Sequence, residues 1–286
     1  MSEGGRVRSS AQTLKSRDRD TKENTVTNGT YKIEVRFEGG LTSTQEAAFT
    51  SASDRWSQII SADVPSFRLN GEVVDDLLIF ARGSSLDGPS GILGQAAPTR
   101  FRPGSLIPAT GFMEFDTADL ARMELDGSLE DVIFHEMGHV CGIGTSWRDL
   151  GLLEGAGTAN PVFTGENAMR EFAALIGADE PTPVPVANRG GQGTRDAHWR
   201  EEVFANELMT GFLDVGSNPV SRVTVASVQD LGYEVDFDAA EDFALPSFLE
   251  LSLRGIGAVE HPQGCMMAGL RRRGLKPEVL PERDLL

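Results

Sequence analysis

His135-Glu136-Met137-Gly138-His139 is the most informative stretch of the chain, because it holds two of only four histidines. On a helix, residues four apart share one face, so both imidazoles can reach a single ion at about 2.0–2.1 Å. The glutamate between them then stands beside an open coordination position, as in the H-E-x-x-H zinc pattern. The alternative is a surface helix that happens to carry two histidines, and the apolar residues that back the motif argue against it.

The residues before the motif predict a helix. Ser128, followed three residues later by Asp131, is a capping signal. The residues that then recur along one helical side are Leu129, Val132, Ile133, Glu136 and Val140. Gly142 is expected to end the helix, since glycine adopts a left-handed conformation at little cost.

A catalytic zinc site usually takes three protein ligands and a water, so a third ligand is needed. Gly142 matches the extended pattern H-E-x-x-H-x-x-G-x-x-H, but Thr145 stands where its last histidine belongs. His198, beyond a long glycine-rich segment, is the predicted third ligand, ahead of His261 in the C-terminal segment. The alternative is a downstream carboxylate, as in zinc peptidases with a glutamate ligand: Glu201, Glu202 or Glu207.

Upstream of the motif, the pattern predicts a mixed sheet and one helix. Residues 31–37 alternate apolar and charged side chains, which is typical of a half-buried strand. A helix over residues 43–61 follows Thr42, with Gln45 completing a capping box. Three further strand segments are Val73–Ala81, Ile92–Ala97 and Gly111–Asp116. The last of them, GFMEFD, is short and suited to the edge of a sheet.

Downstream of the motif, residues 151–197 are rich in Gly, Pro and Thr, which predicts a long loop with its own helix around residues 166–176. A further helix is expected to begin at Ser217 or Asn218 and to stop at Gly232. These patterns predict four regions. They are a disordered tail (1–29), an N-terminal subdomain (30–142), a C-terminal subdomain (143–248) and an appendage of unassigned role (249–286).

The composition is that of a folded, acidic protein. The 286 residues include 26 basic and 43 acidic side chains, for a net charge of −17, which opposes the approach of nucleic acid. No apolar run is long enough for a membrane span, and no cleavable signal peptide is visible. Two cysteines, Cys141 and Cys265, are too few for a disulfide framework.

Three ordered stretches of the chain resemble the leishmanolysin family of metzincin zinc endopeptidases, especially its bacterial members. They are FHEMGHVCGIGTSWR (134–148), GGQGTRDAHWREEVFANELMTGF (190–212) and VQDLGY (228–233). In that family a long insertion separates the first two histidines from the third, and a methionine turn follows. The resemblance spans roughly residues 30–247.

The resemblance implies an α+β, metzincin-like fold: a mixed twisted sheet with the active-site helix, a mostly helical or irregular C-terminal subdomain, and one catalytic Zn²⁺ in the cleft between them. His135, His139 and His198 correspond to the zinc ligands and Glu136 to the general base. Met209 corresponds to the methionine of the turn, beneath the metal. The substrate-binding edge strand would comprise Gly111, Phe112, Met113, Glu114 and Phe115.

The expected function is therefore a zinc-dependent endopeptidase that acts as a monomer on proteins or peptides, without a nucleic-acid partner. Two alternatives stay open: an inactive, zinc-stabilised scaffold, and a gluzincin-type peptidase with a glutamate as third ligand. The family often has an aliphatic residue where Cys141 stands, so Cys141 is expected to pack as a small buried thiol. Protist members are secreted and membrane-anchored, but without a visible signal peptide the expected location is either extracellular by a leaderless route or intracellular.

Overall fold

The computed structural model describes residues 1, 29–89, 93–191, 193–214, 216–247, 250 and 276–286. The predicted disordered tail therefore lies almost wholly outside the described residues, as do His261, Cys265 and most of the predicted appendage. None of the described helices combines the length and the apolar character needed to cross a bilayer.

The described residues form a mixed α+β fold with one large sheet. Its strands are β1 (Ile33–Phe37), β4 (Leu77–Ser84), β5 (Gly94–Phe101), β6 (Pro108–Asp116) and β10 (Glu278–Val279), in the order β1-β4-β6-β5-β10. A hairpin of β2 (Phe67–Leu69) and β3 (Glu72–Val74) and a small sheet of β7 (Leu153–Glu154), β8 (Val162–Phe163) and β9 (Val184–Pro185) complete the strands. The pairs β1–β4 and β4–β6 are parallel, whereas β5–β6 is antiparallel. The predicted mixed sheet is confirmed.

The prediction that Gly111–Phe115 forms an edge strand is wrong. These residues belong to β6, which is hydrogen-bonded to β4 on one side and to β5 on the other, so its backbone groups are already paired. The strand outside it is β5, and its segment 94–99 has no further strand paired to it among the described residues. Pro98 is the sequence signal for this arrangement, because proline cannot donate to a ladder and is confined to sheet edges.

The helices are α1 (Ser43–Ile59), α2 (Thr117–Asp126), α3 (Leu129–Val140), α4 (Glu166–Ile176), α5 (Glu201–Phe204) and α6 (Arg222–Asp230). The capping box of α1 is confirmed: Gln45 N–H donates to Thr42, and the Gln45 side chain accepts from the Thr42 N–H. The capping prediction for α3 is wrong in detail, since Ser128 makes no capping bond and donates instead to Asp126, 2.6 Å away.

Two other predicted bounds are corrected, and two helices are added. The run Val73–Ala81 is divided between β3 and β4, because Asp76 is buried between them and accepts hydrogen bonds from the backbone of Val64 and Lys32. Helix α6 begins after Ser221 rather than Ser217 or Asn218, since the Ser221 hydroxyl provides its cap. Helices α2 and α5 were not predicted at all.

Helix α3 packs directly on the main sheet, and this contact positions the histidine motif. Gly111 in β6 allows the close approach, because a Cβ there would lie 2.2 Å from the Val140 Cγ1 atom. Helix α1 packs beside α3, and the Trp56 indole donates to the Phe134 carbonyl at 2.9 Å. The predicted helix within the long loop is confirmed as α4. Cys141 is buried, as predicted.

Candidate metal centre

Helix α3 buries both histidines of the motif. Every residue from Val132 to Val140 is buried, His135 is 2% exposed and His139 is fully covered. The helix ends at Val140, and Gly142 follows with a φ of 113°, in the left-handed region. The chain then turns back, and the Thr145 hydroxyl donates to the His139 carbonyl at 2.7 Å. Thr145, which stands in place of the last histidine of the extended pattern, therefore stabilises the turn after α3.

Residues 194–199 bring the third histidine to the same place. His198 is fully buried, and its Nε2 atom lies 3.2 Å from that of His135 and 3.0 Å from that of His139. The Nε2 atoms of His135 and His139 are 3.1 Å apart. A tetrahedral ion bound at 2.0–2.1 Å requires ligand nitrogens about 3.3 Å apart, so the observed triangle is close to that geometry.

Backbone carbonyls fix the orientation of all three rings. The Nδ1 atoms of His135, His139 and His198 lie 2.6, 2.9 and 2.9 Å from the carbonyl oxygens of Leu208, Ile143 and Thr194. A carbonyl only accepts, so each Nδ1 carries the proton and each Nε2 presents a lone pair. Three lone pairs that converge within about 3 Å repel one another unless a cation lies between them, and carbonyl-bound imidazoles are the usual form of metal ligands.

The electrostatics of the site keep the three rings neutral. Burial lowers the pKa of His135 to about 4 and that of His198 to about 3. Burial, together with the neighbouring His198 and His135, lowers the pKa of His139 well below its usual 6.5. Neutral imidazole is the form that binds a metal ion, so these rings are available as ligands at neutral pH.

Glu136 lies in the wall of an open cavity next to the histidines. Glu136 is 2% exposed and borders a cavity of about 330 Å³. The cavity lies between α3, the end of α2 with the turn that joins the two helices, and residues 211–214, 216 and 218. Its other lining residues include Leu93, Val132, His135, Phe212 and Asn218. A carboxylate in this position can exchange a proton with a molecule that enters beside the histidines.

Met209 packs under the motif, where Gly138 leaves room for it. A Cβ on Gly138 would lie 3.0 Å from the Met209 Sδ atom. Met209 is fully buried, and its carbonyl accepts a 2.9 Å hydrogen bond from the Trp199 N–H. The predicted floor residue is thus brought beneath the helix that carries His135 and His139.

The structure gathers three predicted ligands, the predicted base and the predicted methionine. In the part of the chain that it describes, these histidines are the one group of His, Cys, Asp or Glu side chains close enough to share a metal ion. Glu207, an alternative ligand, accepts instead from Met209, Ser221 and Thr224. The carbonyl oxygens that orient the rings were not predicted, and a sequence carries no local signal for them.

Comparison with known proteins gives consistent matches. The family model described as "Peptidase_M8: Leishmanolysin" matches residues 63–247, which is more than half of the chain. A protein from Caenorhabditis elegans, named "Leishmanolysin-like peptidase", is 39% identical over 79 residues, which cover 27% of this chain and 11% of that protein. A "Leishmanolysin homolog" from Crithidia fasciculata is 25% identical over 133 residues, covering 44% of this chain and 20% of that protein. The matched regions thus span about a tenth to a fifth of these relatives.

Proposed function

This chain belongs to the leishmanolysin family, and we propose that it is a zinc-dependent endopeptidase that uses Glu136 as its general base. The observation that carries the proposal is the triangle of Nε2 atoms, with separations of 3.0–3.2 Å, beside a cavity that Glu136 lines. His135, His139 and His198 would hold one zinc ion, and a water would complete its coordination.

A zinc ion held there would lower the pKa of a bound water and polarise the carbonyl of the scissile peptide bond. Glu136 would take the proton of the attacking water and deliver it to the leaving amine as the peptide bond breaks. Burial lowers the pKa of the three rings, so their Nε2 atoms carry no proton at neutral pH. The carbonyls of Leu208, Ile143 and Thr194 bind the Nδ1 atoms and so hold the Nε2 atoms towards one another. Met209 supports the helix from below and takes no part in the proton transfers.

Two observations weigh against the alternatives. A zinc site with only a structural role usually has four protein ligands and needs no carboxylate in an adjoining cavity. A glutamate as third ligand is disfavoured because His198 completes the triangle while Glu207 is turned into a separate hydrogen-bond network. Unfolded proteins and peptides are the proposed substrates, and the chain is proposed to act as a monomer.

The test is cleavage of casein, an unfolded protein, by the zinc-loaded full-length chain and by its Glu136→Gln variant. We expect the variant to keep its zinc and to lose roughly 10²–10⁴-fold in rate, the usual contribution of a general base. Glu130→Gln is the matched control, because Glu130 is an exposed residue of the same helix. A chelator should abolish cleavage by the wild-type protein. Near-wild-type cleavage by zinc-loaded Glu136→Gln would contradict the proposed mechanism, and no cleavage by any zinc-loaded form would favour the scaffold.

A further inference from the structure

Glu207 is a completely buried carboxylate that the proposed reaction does not use. One of its oxygens accepts from the Met209 N–H at 2.7 Å. The other accepts from the Ser221 N–H at 3.0 Å, from the Ser221 hydroxyl at 2.7 Å and from the Thr224 hydroxyl. Four donors therefore converge on one side chain, and such charge-assisted bonds offset the large cost of burying a carboxylate.

The segment that Glu207 holds is bonded directly to one histidine of the metal centre. The peptide group between Leu208 and Met209 supplies both the N–H that binds Glu207 and the carbonyl oxygen that accepts from His135 Nδ1 at 2.6 Å. The Leu208 N–H donates to the Pro219 carbonyl at 2.9 Å. Because one rigid peptide plane carries both contacts, a shift of that plane away from Glu207 also moves the partner of the His135 ring.

The same network reaches the residue next to His198. The Trp199 N–H donates to the Met209 carbonyl at 2.9 Å, and the Trp199 indole donates to the Thr224 hydroxyl at 2.7 Å. That hydroxyl in turn donates to Glu207. The Thr224 hydroxyl therefore accepts from Trp199 and donates to Glu207, so this residue of α6 links the two side chains.

We propose that Glu207 is a positioning residue for the metal centre: through the Leu208–Met209 peptide and the Thr224 hydroxyl, it sets His135 and His198 relative to each other. The inference rests on the proposed function, since it presumes that these histidines hold zinc. An ionised carboxylate suits the role because all four partners donate to it. An amide at this position would present an NH₂ group to at least one of those donors.

The test measures Zn²⁺ affinity of the full-length chain by competition with a chromophoric chelator. Glu207→Gln removes the acceptor for at least one donor, and Thr224→Val removes the bridging hydroxyl at nearly constant shape. We expect both to weaken zinc binding by roughly 10–100-fold, the range found when partners of metal ligands are lost. Thr224→Ser keeps the hydroxyl and should bind zinc within a few-fold of wild type. The visible spectrum of the Co²⁺-loaded protein should change in the first two variants and stay unchanged in Thr224→Ser.

A control separates this role from a purely structural one. Thr110→Val makes the same substitution at another fully buried threonine, whose hydroxyl lies 2.6 Å from that of Thr99 in the main sheet, and it should leave zinc affinity unchanged. The proposal is overturned if folded Thr224→Val and Glu207→Gln bind zinc as tightly as wild type, with unchanged Co²⁺ spectra. If Glu207→Gln does not fold, the comparison of Thr224→Val with Thr224→Ser tests the proposal by itself. A folded wild-type chain that binds no zinc would overturn the proposed function itself, and this result differs from one in which wild type and variants bind zinc equally well.

Discussion

Gly138 lies against the thioether of Met209, and this contact joins the histidine helix to the methionine beneath it. A Cβ atom on Gly138 would lie 3.0 Å from the Met209 Sδ atom and 2.8 Å from the Trp56 Cζ2 atom. Glycine in a helix interior costs about 0.8–1 kcal/mol relative to alanine, so its presence between His135 and His139 indicates that space is needed there. The absence of a side chain at Gly138 allows Met209 and Trp56 to pack closely against α3.

Gly138→Ala should therefore destabilise the protein although alanine favours helices. Two buried side chains must shift, and overpacking of this kind typically costs about 1–3 kcal/mol. Urea-induced unfolding of the zinc-free protein measures the change. Gly191→Ala is the control, because a Cβ there meets nothing within 4 Å and its φ is not in the left-handed region. A Gly138→Ala protein as stable as wild type would mean that Met209 and Trp56 do not pack as tightly as described.

Gly144→Ala should weaken zinc binding. Gly144 has a φ of 71°, and a Cβ there would lie 2.0 Å from the Ala197 carbonyl oxygen, directly before His198. The backbone that carries His198 must then move away from His139, so we expect zinc affinity to fall by at least about tenfold, within the range seen for lost supporting contacts. The measurement is chelator competition.

Gly151→Ala provides a closely matched control for that variant. Gly151 has the same φ of 71°, but a Cβ there meets nothing within 4 Å. Both variants carry the cost of placing alanine in the left-handed region, about 1–2 kcal/mol, whereas only Gly144→Ala disturbs the backbone before His198. Equal zinc affinities in the two variants would show that the Gly144–Ala197 contact does not position His198.

The metal-free protein should lose stability as the pH falls from about 6.5 towards 5. Burial lowers the pKa of His135 to about 4 and that of His198 to about 3, and it also lowers the pKa of His139. In this window the unfolded chain binds protons at these histidines while the folded chain does not, so acid favours unfolding. Urea unfolding at several pH values measures the slope.

Asp76 opposes this trend and gives the prediction a control. Burial raises the pKa of Asp76 to about 6, so the folded state takes up a proton there before the unfolded state does, and acid favours folding. The dependence of stability on pH should consequently be steeper in Asp76→Asn than in wild type. Burial also raises the pKa of Glu207 and of Asp230, and both therefore act in the same direction as Asp76. The comparison of the two slopes is thus the test, and a slope in Asp76→Asn no steeper than in wild type would contradict the role given to Asp76.

The local parts of the site could be predicted from sequence, because they depend on near neighbours in the chain. Two histidines four residues apart share a helical face wherever the helix lies, and the capping box of Thr42 and Gln45 needs only one turn of backbone. The prediction of His198 as the third ligand rests on the choice between the two remaining histidines and on the family resemblance, because 59 residues separate His198 from His139 and no local pattern joins them. The partner of the His135 ring, the Leu208 carbonyl, is 73 residues away and has no side-chain signature.

The misplaced edge strand shows where local patterns fail. The short length of GFMEFD predicts an edge strand, but a strand's place in a sheet depends on partners that are distant in sequence, here β4 and β5. Pro98 marks the outer strand and was a usable signal. Asp116 ends β6 and also caps α2, which it does by accepting from the Ala118 N–H at 2.8 Å. Because the strand passes directly into the helix, the sequence has no loop residues there that would predict the start of α2.

Zinc K-edge X-ray absorption of the zinc-loaded full-length chain counts the imidazole ligands of the metal, and so distinguishes a three-histidine centre from one with a glutamate ligand. We expect one zinc per chain with three imidazole ligands and one oxygen ligand from water. His198→Ala should lose one imidazole or the metal itself, whereas His261→Ala, which changes the remaining histidine, should match wild type. Two imidazoles with a carboxylate in the wild-type protein, or a spectrum that His198→Ala leaves unchanged, would contradict the three-histidine centre.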